Sequence, residues 1–591
     1  ARDTGTIVIA SPTLADAEGA DADDRDAAAA RTESKVSAIL HERYPVRFWD
    51  HDLGPTATRL LVVEPTPAPT SAEVIDAQRA ADSTEATDPT NTTACADAAG
   101  PTDTPDGQFV LRDLLGHVPG RFADEAGFDL SADGSFLVTD WQRHVAGAEV
   151  AETVVRIDTD TGDVTVLADD PEMSYGAPRL SPDGRRVVMS TFTVPDPDRA
   201  PTAGLAIVPA DGGPITELTA DWDLWPTGAI WTPDGEALIV VADEAGHAPL
   251  YRLDAATGER TRLTDQGAYR SHSVSSDGRW VHALRSRIDH PDEAVRVAID
   301  GSGVELLRSP TPTVSVPGTF TEVTATAEDG TALRSFLVLP EGADSESPAP
   351  LLLWIHGGPL GSWNAWSWRW NPWLMAARGY AVLLPDPALS TGYGQAFIER
   401  GWGAWGGPPY DDLMRITDAA VERDDIDATR TAAMGGSFGG YMANWVAGHT
   451  DRFEAIVTHA SLWDLDQFGP TTDSAYYWAH EMTPEMARAN TPSAHLDRIE
   501  TPMLVIHGDR DYRVPIGEAL RLWYELVRHS AADDGSTSHR FLYFPDENHW
   551  ILTPNNAQAW YATVFAFLAH HVLGEDWVEP SEVTRTATPS S

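Results

Sequence analysis

The first half of the chain alternates short apolar segments with a recurring polar turn. The turn reads Ser-x-Asp-Gly or Thr-x-Asp-Gly, and an apolar run such as Val187-Val188-Met189 follows it. Asp-Gly is a strong hairpin signal, because both positions accept the positive φ of a tight turn. The turns recur every 43 to 51 residues, about the length of one four-stranded propeller blade. The pattern therefore predicts a β-propeller, with blade turns at Gly134, Gly184, Gly235 and Gly278.

Weaker copies of this pattern lie nearer the N-terminus, at Asp3 to Ser11 and at Asp50 to Val63. They bring the number of candidate blades to about six. Two inserts interrupt the repeats, near residues 12–35 and 65–107. The first is acidic and Ala-rich, which predicts a solvated helix or a loop. The second is rich in Thr, Pro, Ala and Asp, a composition typical of a flexible surface segment.

From about Thr319 the pattern changes to apolar strands alternating with helical periodicity. The predicted strands are Leu333–Leu339, Leu351–Ile355, Tyr380–Leu384, Thr431–Met434, Ala455–Thr458, Met503–Ile506 and Phe541–Phe544. The predicted helices are Asp411–Arg423, Phe438–Gly448, Ile516–Arg528 and Ala557–Leu573. Such alternation implies a mostly parallel sheet with helices on both faces. We expect a propeller domain over residues 1–318 and an α/β domain over residues 319–591.

Charge narrows the classes of partner. The chain has 591 residues, with 90 Asp and Glu against 41 Lys and Arg, so its net charge is −49. Such a charge repels phosphate backbones and anionic lipid, which argues against nucleic acid and membrane surfaces as partners. No apolar run approaches the roughly 18 residues of a membrane span.

The sequence offers few signs of cofactor or disulfide chemistry. Cys95 is the only cysteine, so no intrachain disulfide can form, and a reducing, cytoplasmic location is expected. Secretion stays open, because the chain begins without Met and a missing N-terminal piece could have carried a signal peptide. No metal-ligand spacing, dinucleotide fingerprint or phosphate loop stands out, so we expect no cofactor and no metal.

The strongest chemical motif is Gly-Gly-Ser-Phe-Gly over residues 435–439. A predicted strand precedes it and a predicted helix follows it, as a Gly-x-Ser-x-Gly nucleophile elbow requires. In such an elbow the flanking glycines let the chain turn sharply, so that the serine hydroxyl projects above the sheet edge. Ser437 is therefore the candidate nucleophile, in an α/β-hydrolase domain.

A serine nucleophile needs a histidine base and an acid that orients it. In the α/β-hydrolase order the acid and then the histidine follow the serine, each after a strand. His549 stands in the expected place for the base, and either Asp509 or Asp511 for the acid. His356 and His507 lie in His-Gly turns at strand ends, where a structural role is expected.

The oxyanion of an acyl-transfer intermediate needs two preorganised donors. The backbone N–H of Phe438, directly after the serine, is one candidate. The turn His356-Gly357-Gly358-Pro359 supplies the second, because its glycines let the backbone approach a substrate carbonyl. We expect the N–H of Gly358 to donate, with that of Gly357 as the alternative.

Several motifs of the second half together resemble the prolyl oligopeptidase family of serine peptidases, and most closely its acylaminoacyl peptidase and dipeptidyl peptidase branch. They are Gly-Gly-Ser-Phe-Gly-Gly-Tyr (435–441), His-Gly-Gly-Pro (356–359), Ser-Thr-Gly-Tyr-Gly (390–394), Trp-Gly-Gly-x-x-Tyr-x-Asp-Leu (405–413) and Asp-Tyr-Arg-Val-Pro (511–515). The resemblance is specific over roughly residues 320–573. It implies a propeller of seven or eight blades that covers the active site, so one or two N-terminal blades are absent here or one blade is divergent.

The resemblance assigns the triad to Ser437, Asp511 and His549. It implies that Arg513 binds a carbonyl of the peptide on the acyl side, with a surface ion pair as the alternative. Tyr476 resembles a residue that lines the pocket for the side chain before the scissile bond.

Other pocket residues are assigned by proximity alone. Trp463, Phe468 and Tyr477 are candidates for that pocket, and each could equally belong to the core.

No paired-glutamate motif of the kind that holds a free N-terminus in some dipeptidyl peptidases is clear, and Glu42 is a speculative substitute. Some family members have a tyrosine at the position of His356, and its hydroxyl donates to the oxyanion. Because this chain has histidine there, a backbone donor is expected instead.

Six tryptophans crowd the segment around the oxyanion turn, where they could line an apolar pocket, pack beneath the propeller or form a dimer interface. They are Trp354, Trp363, Trp366, Trp368, Trp370 and Trp373.

The resemblance implies a serine exopeptidase that acts on short peptides and releases dipeptides, acylated amino acids or single amino acids. One alternative is an esterase or amidase acting on small acyl compounds, because the same triad serves both. An alternative of another class is an inactive scaffold whose propeller binds a partner. A homo-oligomer is compatible with each.

Overall fold

The computed structural model describes residues 1–14, 29–54, 56–65, 109–114, 127–309 and 314–584. Nearly all of the insert predicted near residues 65–107, with Cys95, lies outside the described residues. Of the insert near 12–35, residues 29–34 are helical. Among the described residues, no helix is both long and apolar enough to cross a membrane.

The N-terminal residues form a small antiparallel sheet and a short hairpin. The sheet has the order β1-β4-β5, and β2 pairs with β3. These strands are β1 (Ile7–Leu14), β2 (Arg47–Phe48), β3 (His51–Asp52), β4 (Thr56–Pro65) and β5 (Phe109–Asp113). The two weaker copies of the repeat were predicted as separate blades, but β1 pairs with β4 along its whole length. They therefore belong to one sheet.

Residues 127–309 form four consecutive four-stranded sheets, each with its strands in chain order. Their first eight strands are β6 (Phe128–Leu130), β7 (Phe136–His144), β8 (Val150–Asp158), β9 (Val164–Ala168), β10 (Met173–Leu180), β11 (Arg186–Thr193), β12 (Ala203–Pro209) and β13 (Thr216–Glu217). The next eight are β14 (Pro226–Trp231), β15 (Ala237–Ala242), β16 (Leu250–Asp254), β17 (Arg260–Arg262), β18 (Ala268–Val274), β19 (Trp280–Arg287), β20 (His290–Ala298) and β21 (Val304–Leu306).

Each recurring Asp-Gly turn joins the first two strands of one of these sheets. In the first turn, the Ser131 hydroxyl donates to Asp133 Oδ1 at 2.8 Å and accepts from the backbone N–H of Phe136 at 3.1 Å. Gly134 closes the turn with φ 76°. The same two side-chain bonds recur in the other three turns. The local sequence thus forms the same hairpin four times.

Successive sheets pack face to face in chain order. Buried residues of β7 share one apolar cluster with those of β11, including Val138 and Met189. A second cluster joins β11 and β12 to β15, and a third joins β15 to β19 and β20. Each sheet therefore buries its faces against its neighbours in the sequence.

The second half of the chain forms one eight-stranded sheet with the order β22-β23-β25-β24-β26-β27-β28-β29. Here β23 is antiparallel to both of its neighbours, β22 and β25. The other six strands, β24 to β29, are parallel to one another. The strands are β22 (Gly318–Thr326), β23 (Ala332–Pro340), β24 (Ala349–Ile355), β25 (Ala381–Asp386), β26 (Ile426–Gly436), β27 (Ala455–His459), β28 (Met503–Gly508) and β29 (Arg540–Phe544). All seven predicted strands are present, and β22 was not predicted.

Helices cover both faces of this sheet. They are α1 (Pro372–Ala376), α2 (Gln395–Glu399), α3 (Pro408–Val421), α4 (Phe438–Ala447), α5 (Leu465–Phe468), α6 (Ala475–Trp478), α7 (Pro484–Ala489), α8 (Gly517–Ser530), α9 (Pro554–Val572) and α10 (Ser581–Thr584). Short 3-10 helices lie at Ala146–Ala148 and Pro492–Arg498. The predicted helices correspond to α3, α4, α8 and α9.

The central strands are apolar throughout because both of their faces are buried. In β24, Leu351 and Leu353 point into the core beside α3 and α4. Leu352 and Trp354 point into the opposite core, beside α1 and α9. The carboxyl ends of these strands share one edge, which positions the loops that carry the predicted site.

Candidate active site

Ser437 occupies a sharp turn between β26 and α4, with φ 58° and ψ −124°. This conformation is strained for a residue with a side chain, and such strain is typical of a nucleophile elbow. Its flanking glycines are required by packing. A Cβ at Gly435 would lie 2.4 Å from the backbone of Gly439, and one at Gly439 would lie 2.2 Å from the carbonyl oxygen of Ile355.

His549 and Asp511 form a buried hydrogen-bonded pair. His549 Nδ1 lies 2.7 Å from Asp511 Oδ2, and the other carboxylate oxygen accepts the backbone N–H of Val514 at 2.8 Å. His507 Nε2 lies 3.3 Å from Asp511 Oδ2. Burial by itself would raise the pKa of Asp511, but its interactions with His549 and His507 hold it well below the usual range. Asp511 is therefore a carboxylate at neutral pH, suited to orient an imidazole.

The neighbouring polar residues have other partners. Asp509 is exposed, and its carboxylate interacts with the Tyr543 hydroxyl. His507 Nε2 also lies 2.8 Å from the carbonyl oxygen of Val514. His356 Nε2 lies 2.9 Å from Ser390 Oγ. Asp511, and not Asp509, is thus the acid that contacts the imidazole of His549.

Ser437 and His549 line one cavity of about 400 Å³, which we call the Ser437 cavity. Its walls are strongly aromatic. The tryptophans among the lining residues are Trp49, Trp354, Trp363, Trp370, Trp405, Trp478 and Trp550. A site of this kind suits a substrate with an apolar body and one polar reacting group.

The predicted oxyanion donors also lie at this cavity, since Gly357, Gly358 and Phe438 line it. Phe438 is the first residue of α4, whose N-terminal N–H groups lack intrahelical partners. A Cβ at Gly357 would lie 3.3 Å from Ser437 Cβ, so the turn approaches the serine closely. Gly358 has φ 127°, a conformation that favours glycine.

Arg513 lines the Ser437 cavity and pairs with a buried carboxylate. Its Nε lies 2.7 Å from Asp473 Oδ1, and the Asp473 side chain is fully buried. The ion pair is therefore not the surface pair that the sequence offered as an alternative, because its carboxylate is buried. The arginine still faces the cavity, so its contact with a peptide carbonyl stays a prediction. Its guanidinium also lies 5.3 Å from the Trp49 ring centroid.

A second cavity, of about 470 Å³, adjoins the first and shares Gly358, Trp478 and Arg513 with it. We call it the glutamate cavity, because two glutamates line it. Glu152 lies on β8, and Glu149 directly precedes that strand. Glu149 lies 3.0 Å from His480 Nε2. Burial raises the pKa of Glu152, which has no ion-pair partner within the described part of the chain.

The glutamate cavity contains the two predicted tyrosines, Tyr476 and Tyr477. Phe468 lines the Ser437 cavity. Glu42, suggested as a ligand for a free N-terminus, is exposed instead and lines neither cavity. Glu149 and Glu152 were not predicted from the sequence, because only the fold brings β8 to this edge of the eight-stranded sheet.

Trp463, suggested as a pocket residue, lies in the core instead. It is fully buried, and its indole N–H donates to Glu525 on α8 at 2.7 Å. Its backbone N–H donates to Glu518 at 2.8 Å. The adjacent Leu462 faces the Ser437 cavity in its place. Sequence proximity could not decide between the two, since the direction of each side chain depends on the loop conformation.

Five of the six tryptophans near the oxyanion turn divide between two roles, and Trp368 is exposed instead. Trp354, Trp363 and Trp370 line the Ser437 cavity. Trp373 instead donates its indole N–H to the carbonyl oxygen of Ile288 at 2.7 Å, and the Trp366 backbone N–H donates to Ser286 at 3.2 Å. These latter contacts connect the second half of the chain to the fourth four-stranded sheet.

The segment that contains Trp49 completes the Ser437 cavity, and no motif in the sequence predicted this role for it. The Trp49 ring lies 5.4 Å from that of His549 and 4.5 Å from that of Trp550. Asn548 donates to Asp50 at 2.8 Å. Within the described residues, no group of His, Cys, Asp and Glu side chains is arranged to hold a metal ion.

Residues 366–575 match the model of the prolyl oligopeptidase family. This match confirms the resemblance inferred from the motifs, and the second half of the chain contains a domain of that family. Dipeptidyl-peptidase 5 of Aspergillus fumigatus is 33% identical over 383 residues, 60% of this chain and 51% of that protein. Dipeptidyl-peptidase 5 of Trichophyton equinum is 30% identical over 424 residues, 67% and 56% of the two chains. The chain spans about half the length of the curated relatives it matches.

Solved structures show the same fold. Acylaminoacyl peptidase of Pyrococcus horikoshii superposes with a TM-score of 0.72 over 98% of this chain and 82% of that chain, at 15% identity. A puromycin-hydrolysing peptidase of Mycobacterium tuberculosis superposes with a TM-score of 0.60 over 77% and 79% of the two chains, at 20% identity.

Proposed function

We propose that this chain is a serine exopeptidase that hydrolyses short peptides through an acyl-enzyme on Ser437. The observation that carries the proposal is the buried pair of His549 and Asp511, 2.7 Å apart, in the cavity that Ser437 also lines. The family match and the relatives named dipeptidyl-peptidase 5 support the same reaction.

The proposed chemistry proceeds in two halves. His549 Nε2 takes the proton of Ser437 Oγ as the oxygen attacks the scissile carbonyl, and Asp511 stabilises the resulting imidazolium. The oxyanion accepts hydrogen bonds from the N–H groups of Phe438 and Gly358. His549 then donates its proton to the leaving amine, and water, activated by the same base, releases the acyl portion.

The same proposal includes the architecture of the first half. We infer that the three-stranded sheet and the four four-stranded sheets are consecutive blades of a β-propeller, with the boundary to the hydrolase domain near residue 318. Their face-to-face packing in chain order supports this. The glutamate cavity lies where the blades meet the hydrolase domain, so a substrate in it contacts both.

We further infer that dipeptides are released. A free N-terminal ammonium is a cation, and Glu149 and Glu152 offer carboxylates in the cavity that adjoins the Ser437 cavity. Bringing a cation to Glu152 offsets the cost of its burial, since an opposite charge stabilises its ionised form. This feature favours substrates with a free N-terminus over acylated ones.

The second candidate function is hydrolysis of small amides or esters. The crowded tryptophan walls of the Ser437 cavity favour it, because they would bind a compact aromatic substrate without any peptide contacts. The structural neighbour that hydrolyses puromycin has the same fold.

A panel of chromogenic substrates separates these candidates. It compares a dipeptidyl anilide, its N-acetyl derivative, an N-acetyl-aminoacyl anilide, an aminoacyl anilide and a simple aryl ester, each with wild type and Ser437→Ala. We expect the dipeptidyl anilide to give the highest kcat/KM and the Ser437→Ala variant to lose this turnover.

Turnover of the ester alone would favour the second candidate. A fluorophosphonate probe that fails to label folded wild-type protein would instead support an inactive binding scaffold, since only an activated serine reacts with it.

A further inference from the structure

Arg369 is a cation in the wall of the Ser437 cavity, and within the described part of the chain it has no anionic partner. It lies on the segment between the oxyanion turn and α1, and it lines the cavity together with His549 and Trp550. Its Nε is buried without a hydrogen-bond partner. Among the described residues, its guanidinium forms neither an ion pair nor a hydrogen bond.

Other partly buried arginines of the hydrolase domain differ in this respect. Arg513 pairs with Asp473, Arg400 with Asp412 and Arg334 with Glu322. Around Arg369 there are aromatic rings instead, with the guanidinium carbon 4.3 Å from the Trp550 ring centroid and 5.5 Å from that of Trp370. Burial lowers the pKa of Arg369 to about 10, so the group stays protonated at neutral pH. In a chain of net charge −49, this arginine thus stays without a carboxylate partner among the described residues, in the wall of the cavity that Ser437 lines.

The position of Arg369 relative to the triad indicates which part of a substrate it meets. The general acid must reach the leaving nitrogen, so the leaving group lies on the His549 side of the cavity. Arg369 packs on Trp550, the residue that follows His549. The glutamate cavity, which we assign to the acyl portion, shares Gly358, Trp478 and Arg513 with the Ser437 cavity, and neither Arg369 nor Trp550 lines it.

We propose that Arg369 binds the C-terminal carboxylate of the amino acid that is released, so that the preferred substrates are peptides ending one residue after the scissile bond. This inference rests on the proposed peptidase function. The planar guanidinium presents paired N–H donors that match both oxygens of a carboxylate. With Glu149 and Glu152 at the other end of the substrate, the two cavities would measure a tripeptide from ammonium to carboxylate.

The test compares one tripeptide with a free C-terminus against the same tripeptide carrying a C-terminal amide, with product release followed by chromatography. In wild type we expect kcat/KM to be roughly 10- to 100-fold higher for the free acid, the range of a charge-assisted hydrogen bond. Arg369→Met should reduce hydrolysis of the acid to the level of the amide. Hydrolysis of the amide and of a dipeptidyl anilide should change by less than about threefold.

Two further variants separate recognition from structure. Arg369→Lys keeps the charge but not the fork, so it should retain part of the preference. Arg378→Met is the matched control, because Arg378 also lies over an aromatic ring, Phe565, but is exposed outside the cavity. It should leave the ratio of acid to amide unchanged.

Equal kcat/KM for acid and amide in wild type would overturn the inference, and that comparison needs no variant to fold. Equal losses on both substrates in Arg369→Met would assign a structural role instead. A third comparison uses two tripeptide amides that have Asp or Leu at the released position. If wild type prefers the Asp amide but shows no preference for a free C-terminus, Arg369 binds a substrate side chain, and the proposal is also overturned.

If wild type labels with a fluorophosphonate but cleaves no peptide, the proposed function fails separately. The inference is then tested by protection of Ser437 from the probe. The free tripeptide should protect at a lower concentration than its amide in wild type and not in Arg369→Met, and equal protection would contradict it.

Discussion

Arg513 Nε lies 2.7 Å from Oδ1 of Asp473, a carboxylate with no solvent exposure. The other oxygen of Asp473 accepts the backbone N–H of Trp49 at 2.8 Å. The backbone N–H of Tyr512, next to Arg513, donates to the carbonyl oxygen of Trp49 at 3.0 Å. One ion pair thus holds the N-terminal segment, the acid loop of the triad and the wall of the Ser437 cavity together.

The first prediction concerns this pair. Arg513→Ala should raise the activation free energy that corresponds to kcat/KM for dipeptidyl amides by roughly 1.5–3 kcal/mol, because a charge-assisted bond to the peptide carbonyl is lost. A small ester should be affected little, because it does not make this bond. The substitution should also cost about 3 kcal/mol of unfolding free energy, since Asp473 stays buried without its partner. Urea unfolding and kinetics on both substrates measure the two effects.

Arg510→Ala, an exposed arginine on the same loop, is the control and should change neither quantity by much. Equal losses on amide and ester, in protein shown to be folded, would remove Arg513 from the substrate site.

The second prediction separates the two aspartates of the acid loop. Asp511→Asn should lower kcat by roughly 10⁴-fold, because the amide no longer stabilises the imidazolium of His549 or holds its tautomer. Asp509→Asn should stay within about threefold of wild type, because its carboxylate is exposed and contacts Tyr543 instead. Comparable losses in both variants, at comparable stability, would contradict the role given to Asp511.

The third prediction tests the glutamate cavity. Glu152→Gln should lower kcat/KM for a dipeptidyl anilide with a free N-terminus by about 10- to 100-fold, because the ammonium loses its carboxylate. The N-acetylated substrate should be affected little. Glu42→Gln is the matched control, since Glu42 is exposed and lines neither cavity. A loss that is the same for both substrates would show that Glu152 only supports the fold.

The fourth prediction concerns the pH dependence of stability. Glu481 is buried and accepts the indole N–H of Trp405, and burial raises its pKa from 4.5 to about 8. Between these values the folded state binds more protons than the unfolded state, so the free energy of unfolding falls as pH rises. Glu481→Gln, which keeps the acceptor for Trp405, should remove roughly 3–5 kcal/mol of this fall.

Urea unfolding at pH 5 and pH 8 measures the difference. Glu485→Gln on the next helix is the control, because its side chain is 78% exposed. A wild type and a Glu481→Gln variant with the same change in stability between the two pH values would rule out this role of burial.

The fifth prediction concerns the packing behind the nucleophile. Gly439→Ala should cost more than about 3 kcal/mol of unfolding free energy or prevent folding, because its Cβ would lie 2.2 Å from the carbonyl oxygen of Ile355. Gly303→Ala should stay within about 1 kcal/mol, because a Cβ there meets nothing within 4 Å. Circular dichroism and urea unfolding compare the two, and a folded Gly439→Ala variant of wild-type stability would contradict the close packing.

The sequence by itself predicted the parts of this protein that depend on local pattern. The Asp-Gly turns and the strands they join follow from the positive φ of four glycines and from alternating apolar residues. The elbow at Ser437 and the order of the acid and histidine after it follow from a motif in its strand and helix context. Such signals are local, so they can be read without knowing what packs nearby.

Only the tertiary structure decided which side chains face the cavities. Trp463 points into the core because α8 offers it hydrogen bonds, and Arg513 is held by a carboxylate forty residues away in the chain. Glu152 and Arg369 carry no motif, and their significance depends on burial and on partners that are far apart in sequence. Side-chain direction and charge neutralisation depend on the packing of the whole fold, which no local pattern contains.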